Sequence, residues 1–152
     1  MTSKTFLGLV VSFVILSDRL AKVFITQRTQ EAQGFPVIPG FFHITRVNNT
    51  GAAFGILKDS QNILILISAL FILGILAWWS KNSHRPLSPM IFGWSLVLAG
   101  AASNLYDRVC YGYVIDFLDF RIWPVFNLAD TSICVGIFLV FFDFLSKSRK
   151  RT

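Results

Sequence analysis

Four apolar runs punctuate the chain: Phe6 to Ile25, Gln61 to Trp79, Pro89 to about Leu105, and Leu128 to Phe144. A helix rises about 1.5 Å per residue, and about 17–25 apolar residues cross a hydrocarbon core of ~30 Å. The pattern therefore predicts an all-α membrane protein with four transmembrane helices. The first run has the place of a secretory signal peptide. It continues through Asp18, Arg19 and Lys22 with no small-residue cleavage site, so it reads as a span. Asp18 and Lys22 stand four apart and share a helix face, acid first. They read either as an ion pair that lowers the cost of insertion or as support for a site.

The segments between the runs are polar. In residues 27–60, Pro36, Pro39 and Gly40 forbid a continuous helix. Phe42 to Val47 alternates and is β-branched, which predicts a strand. The small residues of Asn48-Asn49-Thr50-Gly51-Ala52-Ala53-Phe54-Gly55 suit a tight turn and close backbone approach. Residues 80–88 form a short basic connector. Residues 109–124 read as a loop with strand character at Tyr113-Val114-Ile115, closed by Pro124.

Composition agrees with a membrane chain. Of 152 residues 54% are hydrophobic and only 14% charged, against about 25% charged in soluble domains. The net charge of +6 does not point to nucleic acid, because its placement is lopsided. Lys147, Arg149, Lys150 and Arg151 crowd the tail. With four spans, Lys4, Lys81, Arg85 and that tail share one side, which the positive-inside rule makes cytoplasmic. Both termini are then cytoplasmic, and the loops 27–60 and 108–127 face out. The two cysteines, Cys110 and Cys134, lack metal-ligand or redox spacing, and His43 and His84 form no HExxH. No metal or cofactor is expected.

That topology gathers the polar groups at one face. Asp18 and Lys22 fall in the outer part of the first span. Asn104, Asp107 and Arg108 end the third, Asp116 lies in the outer loop, and Asn127 and Asp130 open the fourth. Ionisable groups in or beside spans are costly and mark function by default. Two carboxylates can hydrolyse a peptide bond, one ionised to take a proton from water and one protonated to bond the scissile carbonyl. Asp116 and Asp130 are the best pair. Plainer readings stand beside this one: Asn127 with Asp130 three later resembles a capping box, Asp116 suits a turn after a strand, and Asp107 and Arg108 suit interfacial charges. Asp119 and Arg121 read as solvated loop charges. Ser17 near Lys22 and Ser103 near Arg108 make weaker nucleophiles, without GxSxG or a histidine partner. A proton or solute transporter also uses intramembrane Asp and Lys, and a purely structural subunit is a third class. Transport predicts polar groups through the full membrane depth, whereas these collect at one side.

Asn49 to Gly55, Asn104-Leu105-Tyr106-Asp107-Arg108, Val114-Ile115-Asp116-Phe117 and Phe126-Asn127-Leu128-Ala129-Asp130, with Asp18-x-x-x-Lys22, together resemble the lipoprotein signal peptidases, signal peptidase II. The resemblance covers nearly the whole chain in order and spacing. It implies one four-span aspartic endopeptidase domain of the bacterial inner membrane with a small extracytoplasmic β-cradle. Such an enzyme cuts prolipoproteins before a diacylglyceryl-modified Cys. It further implies Asp116 and Asp130 as catalytic, Asn49, Asn104, Arg108 and Asn127 as substrate-positioning or site-orienting, and Asp18, Lys22 and Asp107 as supporting. Expected partners are lipid-modified prolipoproteins, membrane lipid and a globomycin-type inhibitor, with no nucleic acid and the chain acting as a monomer. Ser103 departs from the family's usual Gly; local repacking with retained activity is expected.

Overall fold

The computed structural model describes residues 3–51, 60–82 and 86–149. Residues 52–55 of the Asn49–Gly55 motif, Arg85, and the tail from Lys150 lie outside the described residues. Four long helices carry the chain: α1 (Ser3–Arg28), α2 (Gln61–Asn82), α3 (Pro89–Tyr111) and α4 (Leu128–Ser148). Three strands, β1 (Gly34–Ile38), β2 (Phe42–Asn49) and β3 (Val114–Asp119), form one antiparallel sheet in the order β1-β2-β3.

The helices are inside-out relative to a water-soluble bundle. On α1, Asp18 and Lys22 are buried with Leu7 and Ile25, while Leu9, Phe13, Leu16 and Leu20 face outward, Phe13 with 71% of its surface exposed. Helices α2 and α4 likewise expose Leu66, Leu70, Leu73, Phe138, Phe141 and Phe144. Among the described residues, α2 and α4 are long and apolar enough to cross a membrane. Helices α1 and α3 are as long, but their buried faces carry charges and amides, which lowers their mean hydropathy.

Helix α3 is the hub and packs on α1, α2 and α4. Its contact with α4 is backbone-close because glycines meet there. A Cβ on Gly93 would stand 2.5 Å from the Gly136 carbonyl oxygen, and one on Gly136 equally close to that of Gly93. Ser88 caps α3 by accepting the Ile91 N–H, with Pro89 as its first residue. Gly112, at φ 77°, ends it in the left-handed region that glycine favours and turns the chain directly into β3.

Several boundaries differ from the sequence expectation. Helix α3 continues six residues past Leu105, so Asp107 and Arg108 lie within it, and Val109 to Tyr111, read as the start of a loop, belong to the helix. The charges there do not stop the helix because Asp107 is buried against cations of α1. Helices α1, α2 and α4 also outrun their apolar runs by a few residues. Strand β3 reaches Asp119, beyond the stretch read as strand-like. Strand β1, unpredicted, contains Pro36; it is an edge strand, where a missing N–H is tolerated.

Candidate active site

Six polar side chains from four elements meet where the sheet abuts the helix ends. Antiparallel pairing sets Val47 opposite Asp116 and Asn49 opposite Val114, which brings the end of β2 alongside the start of β3. Asn49 Nδ2 donates to Asp116 Oδ2 at 2.9 Å. Asn104, on α3, donates from Nδ2 to Asp130 Oδ1 at 2.8 Å.

Asn127 joins the two carboxylates. As the N-cap of α4 its Oδ1 accepts the Asp130 N–H at 2.8 Å, and its own backbone N–H donates to Asp130 Oδ2 at 3.3 Å. The same side chain donates from Nδ2 to Asp116 Oδ1 at 2.7 Å and approaches Asn104 Oδ1 at 3.2 Å. The capping box is real, and the same asparagine also reaches the Asp116 carboxylate. Each of the four carboxylate oxygens thus accepts one fixed amide donor.

Asp116 is 2% exposed. Burial, and then the neighbouring Asp130 carboxylate, push its carboxyl up to about 7, against the pull of the Asn49 and Asn127 amides. A group so poised exchanges a proton near neutrality.

Both carboxylates line a cleft of about 980 Å³. Asn49, Asn104 and Arg108 share its polar wall, and Phe120, Ile122, Trp123, Val125, Ile133 and Val135 supply much of the apolar remainder. Arg108 Nη2 donates to the Gly51 carbonyl at 3.2 Å. Its Nε is buried and has no hydrogen-bond partner among the described residues.

Behind the cleft lies a buried ionic cluster. Lys22 Nζ stands 2.6 Å from Asp18 Oδ2, 2.7 Å from Asp107 Oδ2 and 3.2 Å from Asn104 Oδ1, and all three ionic side chains are fully buried. Arg19 pairs with Asp107 and lies over the rings of Tyr106 and Tyr111, 4.7 and 5.6 Å from their centroids. Two cations and two carboxylates balance, so no net charge is buried. Lys22 and Asn127 together fix the Asn104 oxygen, which leaves the Asn104 Nδ2 facing Asp130.

All nine residues singled out from sequence therefore lie in the cleft wall or directly behind it. Sequence reasoning missed Arg19, whose spacing of three from Lys22 was the available signal, and the partner of Ser103, whose Oγ–H donates to Asp18 Oδ2 at 2.6 Å. Ser103 lies away from the cleft lining, which removes it as a nucleophile. The reading of Asp119 as a solvated loop charge is corrected. It is buried at the end of β3, accepting the Thr45 hydroxyl and the Arg121 N–H, each at 2.9 Å. A strand packed on both faces needs its end polar group internally bonded. Arg121, by contrast, is half exposed and meets His43 Nδ1 at 2.6 Å. Cys110 and Cys134 are free and exposed.

A family model described as Signal peptidase (SPase) II matches residues 10–146. The lipoprotein signal peptidase of Pelotomaculum thermopropionicum is 41% identical over 146 residues, 95% of either chain. That of Halothermothrix orenii is 41% identical over 132 residues, 87% of this chain and 90% of its own. The fold matches a bacterial membrane enzyme solved by the in meso method, with a TM-score of 0.92 and 31% identity over 99% of this chain and 94% of that one. A second such enzyme gives 0.85 and 32%, covering 95% of both chains. A match this continuous, over a fold this similar, leaves one assignment: the chain belongs to the signal peptidase II family of proteases.

Proposed function

We propose that this chain is an aspartic endopeptidase that removes signal peptides from diacylglyceryl-modified prolipoproteins, cutting on the N-terminal side of the lipidated Cys. The observation that carries this reading is the Asp116–Asn127–Asp130 linkage, one buried and one partly buried carboxylate held on one cleft by a single asparagine. The chemistry follows from one shared proton. The ionised carboxylate takes a proton from water as the water oxygen bonds the scissile carbonyl carbon. The protonated carboxyl hydrogen-bonds the carbonyl oxygen, on which negative charge develops. The tetrahedral species then collapses; the C–N bond breaks, and the leaving nitrogen takes a proton from the pair. Burial and the neighbouring Asp130 raise the Asp116 carboxyl to about 7, which suits a proton shared by the pair. Asn49, Asn104 and Asn127 keep the carboxylates in register, and Arg108, in the cleft wall, is suited to a substrate carbonyl. Asp18, Lys22 and Asp107 support them from behind.

The chain acts as one domain over residues 1–152, with α1–α4 as four spans of the bacterial inner membrane. Helix lengths of 21–26 residues and the outward apolar faces support this. The basic residues Lys81 and Lys147, in the last turns of α2 and α4, make that end cytoplasmic and the cleft end external. A cleft with an apolar wall at the outer interface receives a lipid-anchored substrate, or a globomycin-type inhibitor, without extraction from the bilayer. The monomer suffices, because every proposed site residue comes from one chain. Clustering of the polar groups at one end of the helices favours this reading over transport.

The test is cleavage of a lipidated precursor by the purified chain. Burial of the diacylglyceryl group contributes about 0.8 kcal/mol per CH₂, so a precursor lacking it should be cut poorly or not at all. Equal cleavage of both forms would remove lipid recognition from the reading.

A further inference from the structure

Helix α3 contains two buried serines eight residues apart that use their hydroxyls differently. Ser95 Oγ donates to the Ile91 carbonyl one turn back at 2.8 Å, the usual use of a hydroxyl inside a helix. Ser103, 1% exposed, sends its proton across to α1 instead, to Asp18 Oδ2 at 2.6 Å. Asp18 Oδ2 also pairs with Lys22 Nζ at 2.6 Å, which leaves Oδ1 to accept the Ala129 N–H at 3.1 Å.

Ala129 is the second residue of α4, and its N–H is among the first-turn donors that no intrahelical carbonyl can reach. Asn127 satisfies the next of them, at Asp130. The first turn of α4 is therefore capped twice: from within by Asn127 and from α1 by Asp18. Asp130 projects from that turn.

We infer that Ser103 is a positioning residue for the peptidase reaction: by orienting Asp18 against the Ala129 N–H, it fixes the turn that presents Asp130 to the cleft. The inference rests on the proposed aspartic mechanism. Ser103 acts at two removes from substrate. Its loss changes how well Asp130 is aimed while leaving untouched the walls that bind substrate. The groups facing the Asp18 carboxylate are Lys22 on its own helix, Ser103 on α3 and the start of α4. Lys22 in turn holds Asp107 and Asn104, and Arg19 reaches Asp107.

The experiment compares Ser103→Ala and Ser103→Thr with the unaltered chain in detergent, using a lipidated precursor peptide, and follows hydrogen exchange in the peptide containing Ala129. Loss of one hydrogen bond to a charged acceptor should lower kcat roughly three- to tenfold, with KM within about twofold. It should also speed exchange at the start of α4. Ser103→Thr, which keeps the hydroxyl, should recover both. An Ala variant with unchanged kcat and exchange overturns the inference, as does a Thr variant no better than Ala. The exchange readout does not depend on turnover. Failure of the unaltered chain to cleave would count against the aspartic reading alone, whereas a silent Ser103→Ala in an active enzyme would count against this inference alone.

Discussion

Asn127 Nδ2 stands 2.7 Å from Asp116 Oδ1, and that short contact ties the helix cap to the Asp116 carboxylate. The same side chain receives the Asp130 N–H, so changes at position 127 can separate the two tasks. Asp is as good an N-cap as Asn but lacks the amide donor. Asn127→Asp should therefore keep the cap of α4 while setting an oxygen against Asp116 Oδ1, so turnover should fall at least tenfold. Asn127→Ala should lose both, with a further cost of about 1 kcal/mol in helix stability. Thermal unfolding and cleavage rates measured on both variants check this. An active Asn127→Asp enzyme would reduce Asn127 to a cap.

The position of Asp116 has a pH signature. Its carboxyl is raised from an ordinary value of 3.8 to about 7 by burial and by Asp130. Between those values the folded chain holds a proton that the unfolded chain has released. The stability contributed by this group is thus complete below the unfolded value and is lost as pH rises through the folded one. The unfolding temperature of the unaltered chain, relative to Asp116→Asn, should fall between about pH 4 and pH 8. A constant difference over that range would remove the raised carboxyl. Rate against pH should be bell-shaped, with limbs that belong to the pair.

Arg108 offers a directional prediction of a different kind. Its guanidinium spends Nη2 on the Gly51 carbonyl, and the side chain forms part of the cleft wall. A lysine carries the charge but cannot make two directed bonds from a rigid fork. Arg108→Lys should fold and lose cleavage activity by roughly tenfold or more, the cost of one or two charge-assisted bonds. Wild-type kinetics in that variant would return Arg108 to an interfacial charge.

How far this architecture was legible beforehand depended on range. Local spacing revealed Asp18 with Lys22, and Asn127 with Asp130, because i,i+4 and N-cap relationships lie within one turn. The gathering of Asn104, Asp116 and Asp130 at one end followed from charge placement across the spans, and Asn49 joined them through the family resemblance. What escaped was set by partners distant in sequence. Asp107 looked like a helix terminus because nothing near it reveals that Lys22 and Arg19, more than eighty residues earlier, neutralise it inside the bundle. Asp119 looked solvated because its acceptor role depends on Thr45 of a neighbouring strand. Ser103 looked like a small filler because its hydroxyl answers to Asp18 on another helix. Pro36 hid β1, since only its edge position makes a strand proline tolerable.

The central claim is that Asp116 and Asp130 together perform the hydrolysis, and the most direct measurement is turnover of a lipidated precursor by Asp116→Asn and by Asp130→Asn. Each replacement keeps the side-chain shape and removes one protonation role. Asn127 still receives the N–H of residue 130 in the second variant, so α4 should form. Binding of a globomycin-type inhibitor first establishes that each variant retains its cleft. The account predicts that both variants bind and that each loses on the order of 10²–10⁴-fold in rate, the usual contribution of a positioned acid or base. Were Asp130 only a capping-box residue, its replacement would cost roughly 1 kcal/mol of helix stability and leave cleavage largely intact. A variant that binds the inhibitor and still cleaves at the wild-type rate would contradict the two-carboxylate mechanism.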